Sequence, residues 1–282
     1  MLYQSIKYLF MKRVGRMALK IVICVKQVPD TDEIKIDKEN ETVEIGNVKK
    51  IINRDDLNAL EEALKIKDLY NDTHITVITM GSPEAKDMLL ECLALGADEA
   101  VLVTDEALED SDSLVTSSVL AASINKIGNF DLILTGRQAT GGDTAQVGPQ
   151  LAEKLNVPQV TGIIKLSIER DMKTIVVKRA LEDKYETIKL KMPCLLTAVK
   201  ELNKPRSMSL RGILDAGKKN IKIMSVKDIE MPINMVGQDA SPTKIVSISV
   251  PIHNKNCKFI RAETDKEAAV SILTELKGKY II

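Results

Sequence analysis

Residues 130–155, FDLILTGRQATGGDTAQVGPQLAEKL, decide how the rest of the chain is read. Residues 131–135 read as a strand buried on both faces, since the run is short, apolar and bounded by turn residues. Gly136, Gly141 and Gly142 follow, and glycine permits positive φ and close approach of backbone to a ligand. A helix is expected to open near Asp143, which reads most simply as its N-cap. The unpaired N–H groups of such a start, with the helix dipole behind them, favour a phosphate. An ordinary strand-to-helix turn of an α/β domain would look the same. The loop lacks the Lys-Ser/Thr ending of a P-loop, and its glycines do not follow the G-x-G-x-x-G spacing.

Working back from this stretch, strands and helices alternate. Residues 20–25 (KIVICV), 75–79 and 100–103 read as strands. Residues 33–46 alternate weakly around Asn40 and suggest a small hairpin outside the main sheet. Asn53, Arg54, Asp55 and Asp56 precede a helix with Leu57, Leu60, Ala63 and Leu64 on one face, and Asp55 or Asp56 is expected to cap it. A second helix carries Met88, Leu89, Cys92 and Leu93 and ends at Gly96. A third spans residues 112–127, carries Leu114, Val115 and Val119, and ends at Gly128. This alternation predicts an α/β fold: a Rossmann-like parallel sheet with helices on both faces and right-handed crossovers. Ligands of such sheets lie beyond the carboxyl ends of the strands, near a topological switch point. Three strand ends (residues 24–26, 79–81 and 135–138) are expected to converge on one crevice.

Working forward, the pattern changes after Val157-Pro158. Residues 160–168, 173–178, 185–190 and 194–199 read as strands with no helix between them, so the sheet is expected to end in an antiparallel meander. Residues 203–209 (NKPRSMS) form a loop, followed by a short helix through Leu210, Ile213 and Leu214. From Asp228 the chain reads as an extended arm with a final helix over residues 266–277. This tail is too short for a core of its own, so it must pack on this chain or on a partner.

Composition narrows the function. Of 282 residues, 40 are basic and 40 acidic, which argues against a nucleic-acid binder. Aromatic residues make up 3%, with no Trp, so there is no stacking platform for single strands. Cys24, Cys92, Cys194 and Cys257 have no paired spacing, which fits a reducing, cytoplasmic setting rather than a disulfide or metal framework. His74 reads as a strand-edge residue, and with only His253 besides it no histidine-based catalytic set can be assembled. No apolar run reaches the ~18 residues of a membrane span. Residues 1–16 carry four basic residues and no acid; they are set apart from the fold, which is expected to begin at Met17. The pairs Glu61/Glu62 and Lys189/Lys191 read as solvated faces. With no Ser-His-Asp, Cys-His or paired-carboxylate set in view, binding or carrying is expected, with any hard chemistry left to a cofactor.

Five segments, CVKQVPDT, INRDDLNALEEAL, GSPEAKDML with CLALGADEAVLV, TGRQATGGDTAQVGPQLAEKL and KPRSMSLRGI, together resemble the β subunit of electron transfer flavoprotein, over nearly all of residues 17–282. The resemblance implies a heterodimer with an α subunit whose FAD transfers electrons, and a nucleotide in the β crevice. That nucleotide is AMP in the housekeeping type and a second FAD, reduced by NADH, in the electron-bifurcating type. Carried over by position, the nucleotide site falls on Cys24, Asn53, Arg54, Asp55, Asp56, Met80, Gly136, Arg137, Gln138, Ala139, Thr140, Gly141, Gly142, Asp143, Thr144, Ala145, Gln146 and Val147. The family's loop for docking acyl-CoA-type dehydrogenases falls on residues 205–213, with Leu210 as its anchor; the alternative is that Leu210 is buried at home. The expected organisation is an extension (1–16), a nucleotide-binding domain (17–204), a partner-recognition loop and short helix (205–227), and an arm packing on the α subunit (228–282). The small residues of ATGGDT leave room for a flavin, where AMP-binding members carry bulkier or acidic residues. The bifurcating type is therefore expected, with AMP as the alternative. Arg137 and Gln138 are the candidate donors to a flavin ring. A universal-stress-type regulatory domain would explain only the first 155 residues. An ATP-pyrophosphatase would need a Ser-Gly-Gly-x-Asp-Ser loop that residues 24–31 do not offer.

Overall fold

The computed structural model describes residues 18–30, 35–37, 42–44, 48–244, 246 and 257–282. The N-terminal extension, the start at Met17, the turn at Asn40 and His253 lie outside the described residues.

Alternation along β1 (Lys20–Cys24) shows why the sheet needs two helical layers. Ile21 and Ile23 point into one apolar cluster, and Val22 and Cys24 into another. Nothing on this strand faces water except Lys20 at its start. Burying each Ile contributes ~1.5–3 kcal/mol, so both faces demand cover. The first cluster is closed by α1 (Arg54–Leu69), through Leu60, Ala63 and Leu64, and by α2 (Ala85–Leu95), through Met88, Leu89, Cys92 and Leu93. The second is closed by α3 (Ser113–Ile127), through Val115, Val119 and Ile124, and by α4 (Val147–Lys154), through Leu151 and Ala152. Asp112 caps α3, its carboxylate accepting the N–H groups of Leu114 and Val115. Gly96, at φ 129°, and Gly128, at φ 109°, end α2 and α3 in conformations that favour glycine.

The parallel strands β1, β6 (His74–Met80), β7 (Glu99–Val103) and β8 (Leu132–Gly136) sit in the order β8-β1-β6-β7. From β1 the chain steps outward through β6 and β7, then crosses back to β8 on the other side of β1. The direction of travel reverses between β1 and β8, and their carboxyl ends open a crevice there. Two short two-stranded sheets lie outside: β2 (Gln27–Pro29) pairs with β5 (Lys50–Ile52), and β3 (Lys35–Asp37) with β4 (Thr42–Glu44), the expected hairpin.

β9 (Gln159–Ile168), β10 (Thr174–Ala180) and β11 (Tyr185–Lys191) form the antiparallel meander. The fourth expected strand, β12 (Cys194–Ala198), leaves it and inserts between β8 and β9, parallel to both. The physical reason is burial. All five residues of β12 are buried, whereas β11 alternates between exposed and half-buried positions and suits an edge. Lys189 and Lys191 on β11 are exposed, as expected. The described part of the sheet has nine strands, closed at the far edge by β13 (Ile221–Met224) beside β7. That strand is not apparent from the sequence, since IKIM is only four residues long and follows Lys218 and Lys219 closely.

The expected short helix is α5 (Leu210–Ala216), with Ser209 as its cap. The arm makes one further short helix, α6 (Gly237–Ala240), and ends in α7 (Asp265–Gly278), which has no buried residue. No helix among the described residues is long and apolar enough to cross a membrane.

Candidate functional site

At the switch point one buried carboxylate ties the two strand ends together. Asp56 is 6% exposed. Its Oδ2 accepts the Lys26 N–H just beyond β1, at 2.8 Å, and its Oδ1 accepts the Gly136 N–H at the end of β8, also at 2.8 Å. Burial pushes its pKa up to about 7, against the hydrogen bonds from Lys26, Asn53 and Gly136 that favour the charged form. Asp56 is therefore not the helix cap it was expected to be. The N-cap of α1 is Asn53, with no side-chain cap bond, and Asp55 and Asp56 occupy the first turn. The Asn53 side chain reaches sideways instead: its Nδ2 donates to the Gln138 carbonyl at 2.9 Å, and its Oδ1 faces the Thr140 N–H at 3.4 Å. The start of α1 thus holds the glycine-rich loop in place.

Gly136 is a matter of space rather than of φ. A Cβ there would lie 2.3 Å from Asp56 Oδ1 and 2.9 Å from the Asp56 nitrogen. Gly141 does need its freedom, at φ 94°, and a Cβ on Gly142 would stand in nearly open space.

The loop beyond differs from expectation. The helix opens at Val147, not near Asp143. Asp143 does not cap it; Asp143 is left-handed, at φ 44°, and its carboxylate accepts from Gln138 Nε2 at 3.2 Å. Ala145 is left-handed too, at φ 51°. Positive φ at residues 141, 143 and 145, with Gly142 and Thr144 between them outside that region, gives the loop an alternating handedness, the kind of backbone that makes anion-binding concavities. The Ala139 carbonyl takes the Gly142 and Asp143 N–H groups. Among the described residues, the N–H groups of Thr144 and Ala145 have no hydrogen-bond partner. The short run from 143 to 146 does not enter the helix because alternating handedness cannot continue an α-helix.

Asn53, Arg54, Asp55, Arg137, Gln138, Thr140 and Asp143 line one cleft of about 380 Å³. Three residues that the sequence reading missed complete it: Val199, Lys200 and Glu201, directly after β12. Their signal was the apolar run of β12 itself, which, read as a central parallel strand, names a further carboxyl end at the same rim. Burial raises the Asp55 pKa, and Arg137 across the cleft works against that rise.

The remaining expected residues do not line this cleft. Cys24 ends β1 but turns its thiol into the second core cluster, where burial, reinforced by the charge of Asp56, pushes its pKa up. Met80 ends β6 and packs against the same cluster. Of the three strand ends expected to converge, those of β1 and β8 meet through Asp56, and that of β6 lies on the other side of β1 from β8. Gln146 is drawn toward α3, where its Oε1 accepts from Ser113 Oγ at 2.7 Å. Behind the loop, a Cβ on Gly148 would lie 2.7 Å from Thr197 Cγ2, so α4 rests directly on β12.

A nucleotide fits the groups left over: the unpartnered N–H groups of Thr144 and Ala145, next to Asp143 at the cleft, for a phosphate, and Arg137, Gln138 and Thr140 on the cleft wall for charge, sugar or base edges.

Leu210 lies away from the cleft and is 76% exposed, which removes the reading in which it is buried at home. Ile213 and Leu214 are exposed beside it. The Glu61/Glu62 pair is not a solvated face. Both residues are buried, because the chain after β12 lies over them and supplies their hydrogen-bond donors.

The Electron transfer flavoprotein domain matches residues 42–229. The chain is 48% identical over 264 residues to the Caffeyl-CoA reductase-Etf complex subunit CarD of Acetobacterium woodii, a match covering 94% of this chain and 100% of that protein. It is 46% identical over 264 residues to the Electron transfer flavoprotein subunit beta of Clostridium acetobutylicum, with the same coverage of 94% and 100%. It is 38% identical over 271 residues to the Acryloyl-CoA reductase electron transfer subunit gamma of Anaerotignum propionicum, again covering 94% and 100%.

Proposed function

The chain belongs to the electron transfer flavoprotein family, among its β subunits, and on that premise we propose that it binds FAD in the cleft at the β1/β8 switch point and passes electrons from NADH, by bifurcation, through the FAD of an α subunit to an acyl-CoA-type dehydrogenase. The observation that carries the reading is the loop over residues 139–145. It has only small or short side chains, bends through three positive φ angles and meets the cleft at Thr140 and Asp143, which leaves room there for a ring system. Two relatives named for CoA-ester reductases support the class of acceptor.

The chain's own groups do limited work. The concave loop takes phosphate oxygens. Asn53 fixes the loop, and Asp56 fixes both strand ends. Arg137, on the cleft wall, brings positive charge to an anionic ligand, and Gln138 offers an amide beside it. Bound FAD supplies hydride acceptance from NADH and release of single electrons. Leu210, Ile213 and Leu214 form the docking face for the acceptor. The start of the arm packs on this chain, with Ile229 and Val236 buried in the second core cluster and Ser241 bonded to Asp112, so it is the end of the arm, with the exposed apolar residues of α7, that packs on the α subunit. The complex works in the cytoplasm.

AMP is the second reading, because a cleft of about 380 Å³ is at the small end for a ligand pocket and suits a mononucleotide. A universal-stress-type domain is set aside, since the family match runs to residue 229 and includes the meander. Co-expression with an α subunit, followed by denaturation and chromatography of the released nucleotides, separates the readings. Two FAD per heterodimer, both reducible with NADH, is the expected result; one FAD and one AMP overturns the bifurcating reading and leaves the family intact.

A further inference from the structure

The segment between the cleft and the docking helix lies along α1 and is tied to it at successive turns. Lys200 and Glu201 stand beside Asp55 in the lining of the cleft. One turn on, Asn58 and Asn203 exchange hydrogen bonds. Asn58 Nδ2 donates to the Asn203 carbonyl at 2.8 Å and to its Oδ1 at 3.0 Å, while Asn203 Nδ2 donates to the Asn58 carbonyl at 3.0 Å and to Glu62 Oε2 at 2.9 Å. A turn further, the Arg206 guanidinium forks onto Glu61, with Nε to Oε2 at 2.9 Å and Nη2 to Oε1 at 3.1 Å. The Arg206 backbone N–H donates to Glu61 Oε2 at 3.0 Å, and Nη2 reaches Asp68 at 2.7 Å.

These are costly arrangements for mere surface decoration. Asn58, Glu61 and Glu62 are 4%, 6% and 4% exposed. Buried carboxylates and amides are tolerated only when their partners stay in place, so the segment is held in one register rather than resting loosely. A fork from arginine fixes direction as well as distance, which a lysine would not do. Only three residues separate Arg206 from Leu210, the start of α5. The other side of α5 is fixed as well: a Cβ on Gly212 would lie 2.2 Å from the Ala94 carbonyl oxygen, so α5 packs directly on the end of α2.

We infer that Asn203 and Arg206 are positioning residues, which through Asn58, Glu61 and Glu62 hold α5 at a fixed place and angle relative to the cleft. The inference rests on the reading of α5 as the docking helix, and it concerns what aims that helix rather than what touches the acceptor. α1 is the rigid element: its first turn borders the cleft and its second and third turns hold the base of α5.

The test uses the α/β complex carrying Asn203→Ala or Arg206→Lys, with Leu210→Ala alongside. Four quantities are measured: KM and kcat with the acceptor dehydrogenase, the rate of NADH oxidation with a small dye acceptor, and hydrogen–deuterium exchange of the amides in residues 210–216. Asn203→Ala and Arg206→Lys are each expected to speed exchange in α5 about tenfold and to raise KM about fivefold, with kcat and the dye rate within about twofold of the parent. Leu210→Ala raises KM without speeding exchange. Exchange in α5 unchanged in both clamp variants overturns the inference, whatever Leu210→Ala does. Faster exchange with KM unchanged in all three variants supports the clamp and overturns the docking reading instead. Faster exchange with KM raised by Leu210→Ala but not by the clamp variants overturns the aiming role.

Discussion

The cleft and the α5–α7 surfaces break the ordinary rule of burial in opposite directions. At the cleft, polar groups are inside: Asn53 and Asp56 are 3% and 6% exposed. On α5 and α7, apolar groups are outside: Leu210 is 76% exposed, and no residue of α7 is buried. The polar interior is internally satisfied: the Asp56 carboxylate accepts the Lys26 and Gly136 N–H groups, and the Asn53 amide is engaged by the Gln138 carbonyl and the Thr140 N–H. The apolar exterior is unsatisfied and needs something that the chain does not provide. The difference teaches that the cleft is preformed and the outer surfaces are completed by association. Mutations at the first should unfold or empty the protein, whereas mutations at the second should leave the fold intact and weaken partners.

The sharpest way to break that contrast is Gly136→Ala. Its Cβ cannot be accommodated without moving the Asp56 carboxylate and the start of α1. The expected loss is about 3 kcal/mol in urea unfolding, with little nucleotide retained by the purified complex. An unchanged midpoint would mean that the cleft is not rigid.

Asp56→Asn comes next. An amide keeps one acceptor but presents its N–H₂ to the other backbone donor, either Lys26 or Gly136. A loss of ~1–3 kcal/mol is expected in the same measurement. The titration of Asp56 gives a second readout. Its folded pKa, about 7, is raised above the ~3.9 of an unfolded Asp, so in this range the native state binds more protons than the unfolded one. The stabilisation by the protonated form is fully present below about pH 4 and is lost as pH rises toward about 7. Asp56→Asn should remove this share of the slope of stability against pH, and an unaltered slope would place the titration elsewhere.

On the outer surfaces the effects are smaller on the fold and visible only with partners. Leu210→Ala should change stability by less than ~0.5 kcal/mol while raising KM for the acceptor. Leu273→Glu on α7 should likewise leave the β subunit's own unfolding unchanged and weaken assembly with the α subunit, read by analytical ultracentrifugation. The one change expected not to weaken the protein is at Ala145. Glycine relieves its positive φ, so Ala145→Gly should be neutral or stabilising by up to ~1 kcal/mol in urea unfolding.

Much of the fold was legible because local pattern and tertiary need agree there. Every helix expected in the first 155 residues forms, and the short buried runs are the central strands. The legible part of the site was the loop and the start of α1, where glycines and acidic residues mark tight turns. What escaped were groups whose role depends on distant segments. Asp56 looks like a cap by local rules, but its carboxylate is captured by N–H groups 30 and 80 residues away. Glu61 and Glu62 look solvated, but they are covered by a segment more than 140 residues on.

By itself the sequence determined the alternation of strands and helices, the switch-point sheet, the glycine-rich loop and the family. Each is encoded in residue spacing or in ordered motifs, which need no knowledge of what lies across the fold. Tertiary structure alone decided that β12 enters the sheet beside β8, that residues 199–201 join the cleft, and that Asp56 bridges two strands rather than capping a helix. These depend on which backbone donors and apolar faces remain unpaired once the sheet has closed, and that is set by packing between segments far apart in the chain.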